Sequence, residues 1–146
     1  MGDTVNTNLT NLGKRLYDNG FKLNTDITTS DNKDEISNAL KYLLKDCDVI
    51  ITSGGLGPTE DDITKETISE SLSLELDLDD KHLEWMRERW KARGLIMPET
   101  NIKQAYIPVG SEKLTNTQGT APGIKINHEN KFIFIFPGPP REFIPL

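Results

Sequence analysis

Asp61 and Asp62 follow a glycine-rich turn, and their type and spacing are suited to phosphate chemistry. Gly54, Gly55 and Gly57 in that turn have no side chain, so their backbone N–H groups can come close to a phosphate. Two carboxylates would repel a bound phosphate unless a divalent cation bridged them, and Mg²⁺ prefers such oxygen ligands. The pattern indicates metal-dependent phosphate chemistry. The alternative, that both aspartates only favour the positive end of a helix dipole, stays open at this point.

A buried strand and a helix must position this turn. Residues 49–51 (VII) form an apolar run without polar alternation, which is typical of a strand covered on both faces in a parallel sheet. Polar residues from Thr59 onward lead into a helix that carries Ile63, and a strand, a glycine turn and a helix N-terminus together make an anion site. No Gly-Lys-Ser/Thr follows, and Glu60 stands where a dinucleotide fingerprint has its third glycine, so neither common motif fits.

Four stretches resemble one known family. Residues 53–66 (SGGLGPTEDDITKE) resemble the signature of the N-terminal domain of the CinA competence/damage-inducible proteins, which is part of the molybdopterin-binding MoaB/MogA-like superfamily. Residues 101–105 (NIKQA), 119–123 (GTAPG) and 137–142 (PGPPRE) resemble other motifs of that family, in its order and spacing. The resemblance implies a MogA-like, three-layer α/β/α sandwich with a mainly parallel sheet and an antiparallel hairpin.

The same resemblance sets expectations for the ends of the chain. Members of the family normally begin with a buried strand before an Asn-containing turn, and this sequence has no such strand. We therefore expect a single domain, residues 1–146, that is truncated at both ends and whose sheet lacks its first strand. Asn8 matches the family's Asn. The family has Asp where this chain has Asn6, so no metal role is assigned to Asn6.

The activity that the resemblance implies is metal-dependent hydrolysis of ADP-ribose and related nucleotide pyrophosphates, with Mg²⁺, Mn²⁺ or Co²⁺. Asp62 would bind the metal and Asp61 would assist or position water, while the cation stabilises charge on the leaving phosphate. The other residues expected to contact the phosphates or the nucleotide are Ser53, Gly54, Gly55, Leu56, Gly57, Thr59, Asn8, Gly119, Thr120, Pro137, Gly138 and Pro139.

Two further interpretations remain open. One is a molybdopterin-binding protein of cofactor biosynthesis, in which the same loop holds the phosphate of a pterin. The other is a non-catalytic nucleotide-binding module. The form of residues 56–62 (LGPTEDD) favours the pyrophosphatase group over cofactor synthesis.

Composition narrows the class of protein. Seventeen basic and 23 acidic residues give a net charge of −6 without a Lys/Arg-rich run, which disfavours nucleic-acid binding. There is no apolar run that could span a bilayer and no signal-peptide pattern, so we expect a cytoplasmic protein without membrane contact. Cys47 is the only cysteine and is interpreted as an inert buried thiol, and His82 and His128 are too far apart to support a zinc site. A homodimer is expected, because relatives in the superfamily form oligomers and a missing strand leaves apolar sheet area uncovered.

The remaining pattern predicts the supporting elements. The first is a helix with Leu9, Leu12 and Leu16 that ends at residues 19–20 (NG). The others are a half-buried strand with Phe21, Leu23, Thr25 and Ile27; a helix with Ile36, Leu40, Leu43 and Cys47; a helix over residues 63–72; a helix from residue 79 or 80 to about 93; a short strand over 105–108; and a hairpin ending in the buried strand 132–136.

A second turn, residues 137–140 (PGPP), directly follows strand 132–136. Two buried strands that each end in a Gly/Pro turn resemble the ligand loops at the carboxyl ends of strands in an open α/β sheet. The alternative is a rigid exit from the sheet, since proline removes backbone donors. Lys103 would lie near a phosphate only if the fold brings it there, and otherwise it is a surface lysine.

Overall fold

The computed structural model describes residues 6–146, which form an α/β fold with a mixed four-stranded sheet and a separate two-stranded sheet. No helix within these residues is long and apolar enough to cross a membrane. In chain order the elements are α1 (Thr7–Asp18), α2 (Lys33–Asp46), β1 (Val49–Ser53), α3 (Thr64–Ser71), β2 (Leu76–Leu78), α4 (Asp80–Lys91), a 3₁₀ helix (Glu99–Ala105), β3 (Tyr106–Pro108), β4 (Glu112–Leu114), β5 (Gly123–His128), β6 (Lys131–Phe136) and α5 (Pro140–Phe143).

The strand order in the larger sheet is β1-β6-β5-β4. The predicted hairpin is confirmed as β5 and β6, joined by a tight turn in which Glu129 and Asn130 have positive φ values of 48° and 65°. The expectation of a mainly parallel sheet is not met among the described residues, because β1 with β6 is the parallel pair and the other two pairings are antiparallel. Such a short turn can join only antiparallel strands, which is why the hairpin makes the sheet mixed.

Helices cover both faces of this sheet. Ile133 and Ile135 alternate with phenylalanines along β6, and both isoleucines are fully buried. They belong to a core cluster that also contains Ile36 and Leu40 of α2 and Ile68 of α3. On the opposite face, Phe136 packs edge-on against Phe143 of α5 with ring centroids 5.6 Å apart, and α1 contacts α5. The alternation of side chains along one strand therefore supports a helical layer on each side.

A second, smaller cluster joins α4 to the 3₁₀ helix, with Leu78 of β2 packed against it. Leu83 and Met86 of α4 are buried against Ala105, at the end of the 3₁₀ helix. Helix α4 begins where the sequence predicts, since the Asp79 side chain accepts a hydrogen bond from the His82 backbone N–H at 2.9 Å. Trp85 stacks on the His82 ring with centroids 5.2 Å apart, which is local packing and not a free surface.

The strand predicted from Phe21, Leu23, Thr25 and Ile27 is wrong. Residues 21–30 form neither helix nor strand, and the Phe21 side chain is 63% exposed. Strand structure needs a neighbouring backbone for its hydrogen bonds, and the described residues provide none at this position. A groove of about 850 Å³ separates the segment from β1, whose hydrogen-bonded neighbour is β6 on its other side. The predicted half-burial is also wrong, since Phe21, Leu23, Thr25 and Ile27 are all exposed. Alternation cannot reveal whether a neighbouring strand exists.

The open edge of β1 leads to a prediction about self-association. Val49 is 46% exposed at this edge, and exposed strand edges pair with other chains unless they are blocked. We expect light scattering at micromolar concentration to give a mass twice the 16.4 kDa of one chain. Val49→Lys should restore the monomer mass, whereas Ile96→Lys, at an exposed apolar residue on another part of the surface, should leave the dimer intact. A wild-type monomer would contradict the prediction.

Candidate functional site

The loops that follow β1 and β6 meet at one end of the sheet. The backbone N–H of Gly54 donates to the carbonyl oxygen of Phe136 at 2.9 Å. A Cβ added to Gly138 would lie 3.3 Å from the Gly54 Cα, so the two loops pass each other in close contact. The two turns predicted as ligand loops are therefore adjacent. We call residues 53–62 the glycine loop.

Asn8 of α1 ties these two loops together. Its Nδ2 donates to the hydroxyl oxygen of Ser53 and to the carbonyl oxygen of Gly138, both at 2.7 Å. Because the Ser53 oxygen accepts this bond, the hydroxyl hydrogen of Ser53 remains available to a ligand acceptor. Asn6, two residues earlier, accepts from the Leu9 backbone N–H and caps α1. Asn8, Ser53 and Gly138, which were all predicted as site residues, thus form one hydrogen-bonded group.

Asp62 is bound within its own loop. Its Oδ2 accepts hydrogen bonds from the backbone N–H of Thr59 at 3.0 Å and from the Thr59 hydroxyl at 2.5 Å. The backbone N–H of Gly57 donates to the same carboxylate. Burial raises the pKa of Asp62, but the hydrogen bonds from Thr59 and Gly57 and the nearby charge of Lys103 outweigh it, so the pKa lies below its usual value. The loop therefore holds Asp62 in its charged form.

The Asp62 carboxylate also explains one glycine of the loop. A Cβ built on Gly57 would collide with it. Gly55 is required for a different reason, because its φ is +67° and an added Cβ would collide with the Thr64 hydroxyl at the start of α3. These two glycines are thus needed for the internal packing of the loop, independently of any ligand.

The loop offers fewer free backbone donors than the sequence predicts. The Gly54 N–H is bound to Phe136 and the Gly57 N–H to Asp62. Of residues 54–57, Gly55 and Leu56 have N–H groups without an acceptor among the described residues, and in the rest of the loop the same is true of Glu60 and Asp61.

The capacity of the site for a metal rests on two carboxylates. Asp61 is exposed and lies next to Asp62. Within residues 6–146 no group of three or more His, Cys, Asp or Glu side chains could hold a metal. Mg²⁺ is usually bound by one or two carboxylates together with substrate phosphates, and the loop holds the Asp62 carboxylate in its charged form. The residues present therefore fit a cation that is shared with a phosphate ligand, and do not form a protein-only cage.

A third loop contains Gly119 and Thr120. The Asn116 side chain shapes it, because Oδ1 accepts from the Gly119 N–H at 2.9 Å while Nδ2 donates to the buried Glu142 carboxylate at 2.8 Å. A Cβ on Gly119 would collide with Glu142. The Thr120 hydroxyl donates to Gln104 Oε1 at 2.8 Å, so it is turned toward the 3₁₀ helix.

In the turn after β6, Pro137 is buried and Pro139 is exposed.

Three residues next to the loops were not predicted as site residues, although each lies in one of the stretches that resemble the family. Gln104, Glu142 and Lys65 are all buried. Lys65 is 5% exposed, and its Nζ donates to the Lys103 carbonyl oxygen at 2.7 Å. Burial lowers the pKa of Lys65, although its ion pair with Glu66 partly offsets this. The place of Lys65 among the buried positions of α3 was a further hint, since charged residues are rarely buried without a partner.

A cavity of about 500 Å³ adjoins the glycine loop. Its lining includes Pro58 and Thr59 from the loop and the side chains of Leu76, Ile102 and Tyr106. Glu60, Glu66, Glu99 and Lys103 also line it. A ligand whose phosphates reach the loop has room for a planar apolar group here.

The bonds to Asp62 give a testable pH dependence. Thr59→Val removes the hydroxyl donor, so the pKa of Asp62 should rise toward its usual value. A depressed native pKa stabilises the fold above the unfolded-state pKa of about 3.9, and this stabilisation is lost as pH falls through the native value. Urea unfolding should therefore show Thr59→Val to be destabilising at pH 7 and less so below pH ~3. An equal destabilisation at both pH values would contradict the role given to Asp62, and Thr115→Val, at another exposed threonine, is the control.

Comparison with known proteins agrees with this fold. All of residues 1–146 match the family model described as "Probable molybdopterin binding domain". A CinA-like protein of Dictyoglomus thermophilum is 42% identical over 146 residues, which cover 100% of this chain and 36% of that protein. The chain thus spans about a third of the length of this curated relative.

Solved structures show the same relationship. A crystal structure of the protein CinA from Thermoplasma acidophilum, described as having unknown function, superposes with a TM-score of 0.88 at 33% identity, covering 99% of this chain and 84% of that one. MoaB, a molybdopterin biosynthesis enzyme of Thermus thermophilus, superposes with a TM-score of 0.58 at 20% identity, covering 98% and 78%, and shares the fold. The chain therefore belongs to the molybdopterin-binding domain family, in its CinA-like group.

Proposed function

We propose that this domain binds a nucleotide diphosphate where β1 and β6 end and hydrolyses its pyrophosphate bond with a divalent cation, with ADP-ribose as the representative substrate. The observation that carries the proposal is a fixed, charged carboxylate, that of Asp62, in the same loop as free backbone donors. A negatively charged carboxylate next to anion-binding N–H groups is compatible with a phosphate ligand when a cation lies between the carboxylate and the phosphate.

Each group in the site has a role in this proposal. The free N–H groups of Gly55 and Leu56 and the Ser53 hydroxyl donate to phosphate oxygens, and Asn8 keeps Ser53 in position. Asp62, assisted by the exposed Asp61, holds the cation and orients a water molecule. Mg²⁺, Mn²⁺ or Co²⁺ bound there supplies positive charge against the charge that develops on the leaving phosphate.

The nucleoside part needs a separate surface. The cavity beside the loop has apolar walls from Leu76, Ile102 and Tyr106, and it suits a planar base. The loop with Gly119 and Thr120 and the turn 137–139 shape the rest of the nucleotide site. This arrangement supports a ligand with a diphosphate and at least one nucleoside, and so favours ADP-ribose or FAD over inorganic pyrophosphate.

A second candidate function is the binding of molybdopterin without hydrolysis. It is favoured by the description of the matching family, whose members are probable molybdopterin-binding domains. The glycine loop would hold the pterin's phosphate and the cavity would hold its rings. This function needs no attacking water, so turnover separates it from the first.

An activity screen tests the proposal. ADP-ribose, FAD and related diphosphates should be incubated with the protein and Mg²⁺, Mn²⁺ or Co²⁺. We expect metal-dependent hydrolysis of ADP-ribose, in which water adds to one phosphorus and AMP and ribose 5-phosphate are released. Tight binding of molybdopterin without turnover of any diphosphate would favour the second candidate. Binding of nucleotides without turnover would indicate a non-catalytic nucleotide-binding module.

Asp62→Asn gives the sharpest prediction about the mechanism. Turnover should fall by about two orders of magnitude, since a lost metal ion removes several kcal/mol of charge stabilisation. Binding of ADP-ribose without metal should stay equal or become tighter, because a negative charge facing the phosphates is gone. Asn retains one oxygen acceptor for Thr59, so the loop keeps part of its internal bonding.

Asp79→Asn is the matched control for Asp62→Asn. Asp79 caps α4 and pairs with Lys113 at 2.5 Å, and the substitution removes the same charge away from the loop. This control should keep wild-type turnover. If Asp62→Asn also keeps most of its turnover, Asp62 only holds the loop together and takes no part in catalysis.

A further inference from the structure

Lys103 of the 3₁₀ helix Glu99–Ala105 lies where the glycine loop meets the cavity beside it. Its Nζ donates to the Thr59 carbonyl oxygen at 3.0 Å and to the carbonyl oxygen of Asp62. The same side chain lines the cavity, as Thr59 does. Lys103 was not among the residues predicted to form the site, because its place depended on the fold. The fold brings it into contact with both parts of the proposed site.

The ammonium group of Lys103 has a donor to spare. A lysine ammonium carries three N–H donors and no acceptor, and the two carbonyl groups of the loop use two of the donors. Within residues 6–146 no other atom accepts a hydrogen bond from this nitrogen. Lys103 is half-buried and lines the cavity, so the third N–H is open to a group that enters there.

The charges around the cavity make this donor important for an anion. Glu60, Glu66 and Glu99 line the cavity. Among the described residues that line it, Lys103 is the one cation. The charge of the buried Lys65 is engaged within the protein, because its Nζ lies 3.5 Å from the Glu66 carboxylate and donates to the Lys103 carbonyl oxygen at 2.7 Å. A phosphate at this point is repelled by the carboxylates and attracted by Lys103.

The three glutamates favour a different part of a nucleotide. Carboxylates accept hydrogen bonds from hydroxyl and amino groups, so they suit the sugar and the base. Thr59 belongs to both the glycine loop and the cavity lining, and Lys103 is bonded to it. A ligand with a phosphate on the loop and a base in the cavity therefore passes Lys103 where its phosphates join its nucleoside.

We propose that Lys103 is a substrate-binding residue, whose third N–H donates to the phosphate that carries the nucleoside. The inference rests on the proposed function for the identity of the ligand, a nucleotide diphosphate. The free N–H groups of the loop bind the other phosphate, and the cavity holds the sugar and base. A nucleoside 5′-monophosphate has both groups that this side of the site recognises, so its binding depends on Lys103, whereas the binding of a nucleoside does not.

The glycine loop keeps bonds of its own when Lys103 is changed. The Thr59 carbonyl oxygen also accepts from the Asp62 N–H at 3.2 Å, and the Asp62 carboxylate accepts from Thr59. The neighbouring Gln104 donates from Nε2 to the Leu56 carbonyl oxygen at 3.0 Å. A substitution at Lys103 therefore removes a charge from the edge of the cavity while these bonds continue to hold the loop.

Calorimetry without metal compares AMP, which has the phosphate, with adenosine, which lacks it. Lys103→Met keeps the length of the side chain and removes its charge and donors, and Lys103→Arg retains a cationic donor. Affinity for AMP should fall about tenfold in Lys103→Met, since a charge-assisted hydrogen bond is removed, and Lys103→Arg should recover most of it. Affinity for adenosine should not change in either variant.

Lys125→Met is the matched control. Lys125 pairs with Glu112 at 2.9 Å on the hairpin, and its substitution changes the net charge equally. This variant should bind AMP as the wild type does. Circular dichroism and thermal unfolding first show that each variant is folded.

Nitrogen NMR of the lysine side chains tests for direct contact. The Nζ signal of Lys103 is identified by its absence from the spectrum of Lys103→Arg. In the wild-type protein it should shift when AMP is added and stay in place when adenosine is added. A lysine that only anchors the loop would respond to neither ligand or to both alike. The titration uses the wild-type protein, so it decides the question even if Lys103→Met does not fold.

The outcomes separate this inference from the proposed function. If Lys103→Met binds AMP as tightly as the wild type, or loses affinity for AMP and adenosine equally, Lys103 only anchors the loop and the inference is overturned. An Nζ signal that does not respond to saturating AMP overturns it as well. In each of these cases, hydrolysis of ADP-ribose by the wild type would still support the proposed function. If the wild-type protein binds neither AMP nor ADP-ribose, the proposed function fails and the inference fails with it.

Discussion

The parallel pairing of β1 with β6 is the constraint on which the rest of the site depends. Five residues of β1, from Val49 to Ser53, pair in register with Phe132 to Phe136, so both strands end at the same level of the sheet. The two chains then leave the sheet side by side, and the bond from Gly54 to Phe136 continues the pairing by one residue. A register shift of one residue would reverse the faces of the isoleucines and phenylalanines and also separate the two loops.

The glycine loop compensates part of the negative charge that its own acidic residues bring to the proposed anion site. Three consecutive acidic residues, 60–62, stand where an anion is expected. The negative charge of Asp62 is partly compensated by hydrogen-bond donors of its own loop, since Thr59 and Gly57 bind its carboxylate. The nest of N–H groups that holds a phosphate in other glycine loops is here partly occupied by an internal carboxylate. In the function we propose, a ligand phosphate would therefore bind beside Asp62, through the donors that remain.

The sequence predicted those parts of the structure that local patterns determine. The buried strand, the hairpin and the helices follow from periodicity, and the two turns follow from Gly and Pro. The segment 21–27 was predicted wrongly, because alternation shows how a strand would be buried but not whether a neighbouring strand exists. The contacts of Gln104 with Leu56 and of Lys103 with Thr59 join residues more than 40 positions apart, and polar side chains in a short helix carry no signal of such partners.

The small second core has a greater effect on the site than its size indicates. Ala105 and Met86 are fully buried, and their packing fixes the end of the 3₁₀ helix next to Gln104. Truncating a buried methionine such as Met86 to alanine lowers the free energy of unfolding by about 2–5 kcal/mol, which is a large part of the stability of a domain. Loss of this packing would release the 3₁₀ helix and, with it, three carbonyl contacts of the glycine loop. The main core thus sets where the loops leave the sheet, and the second core sets where the 3₁₀ helix contacts the glycine loop.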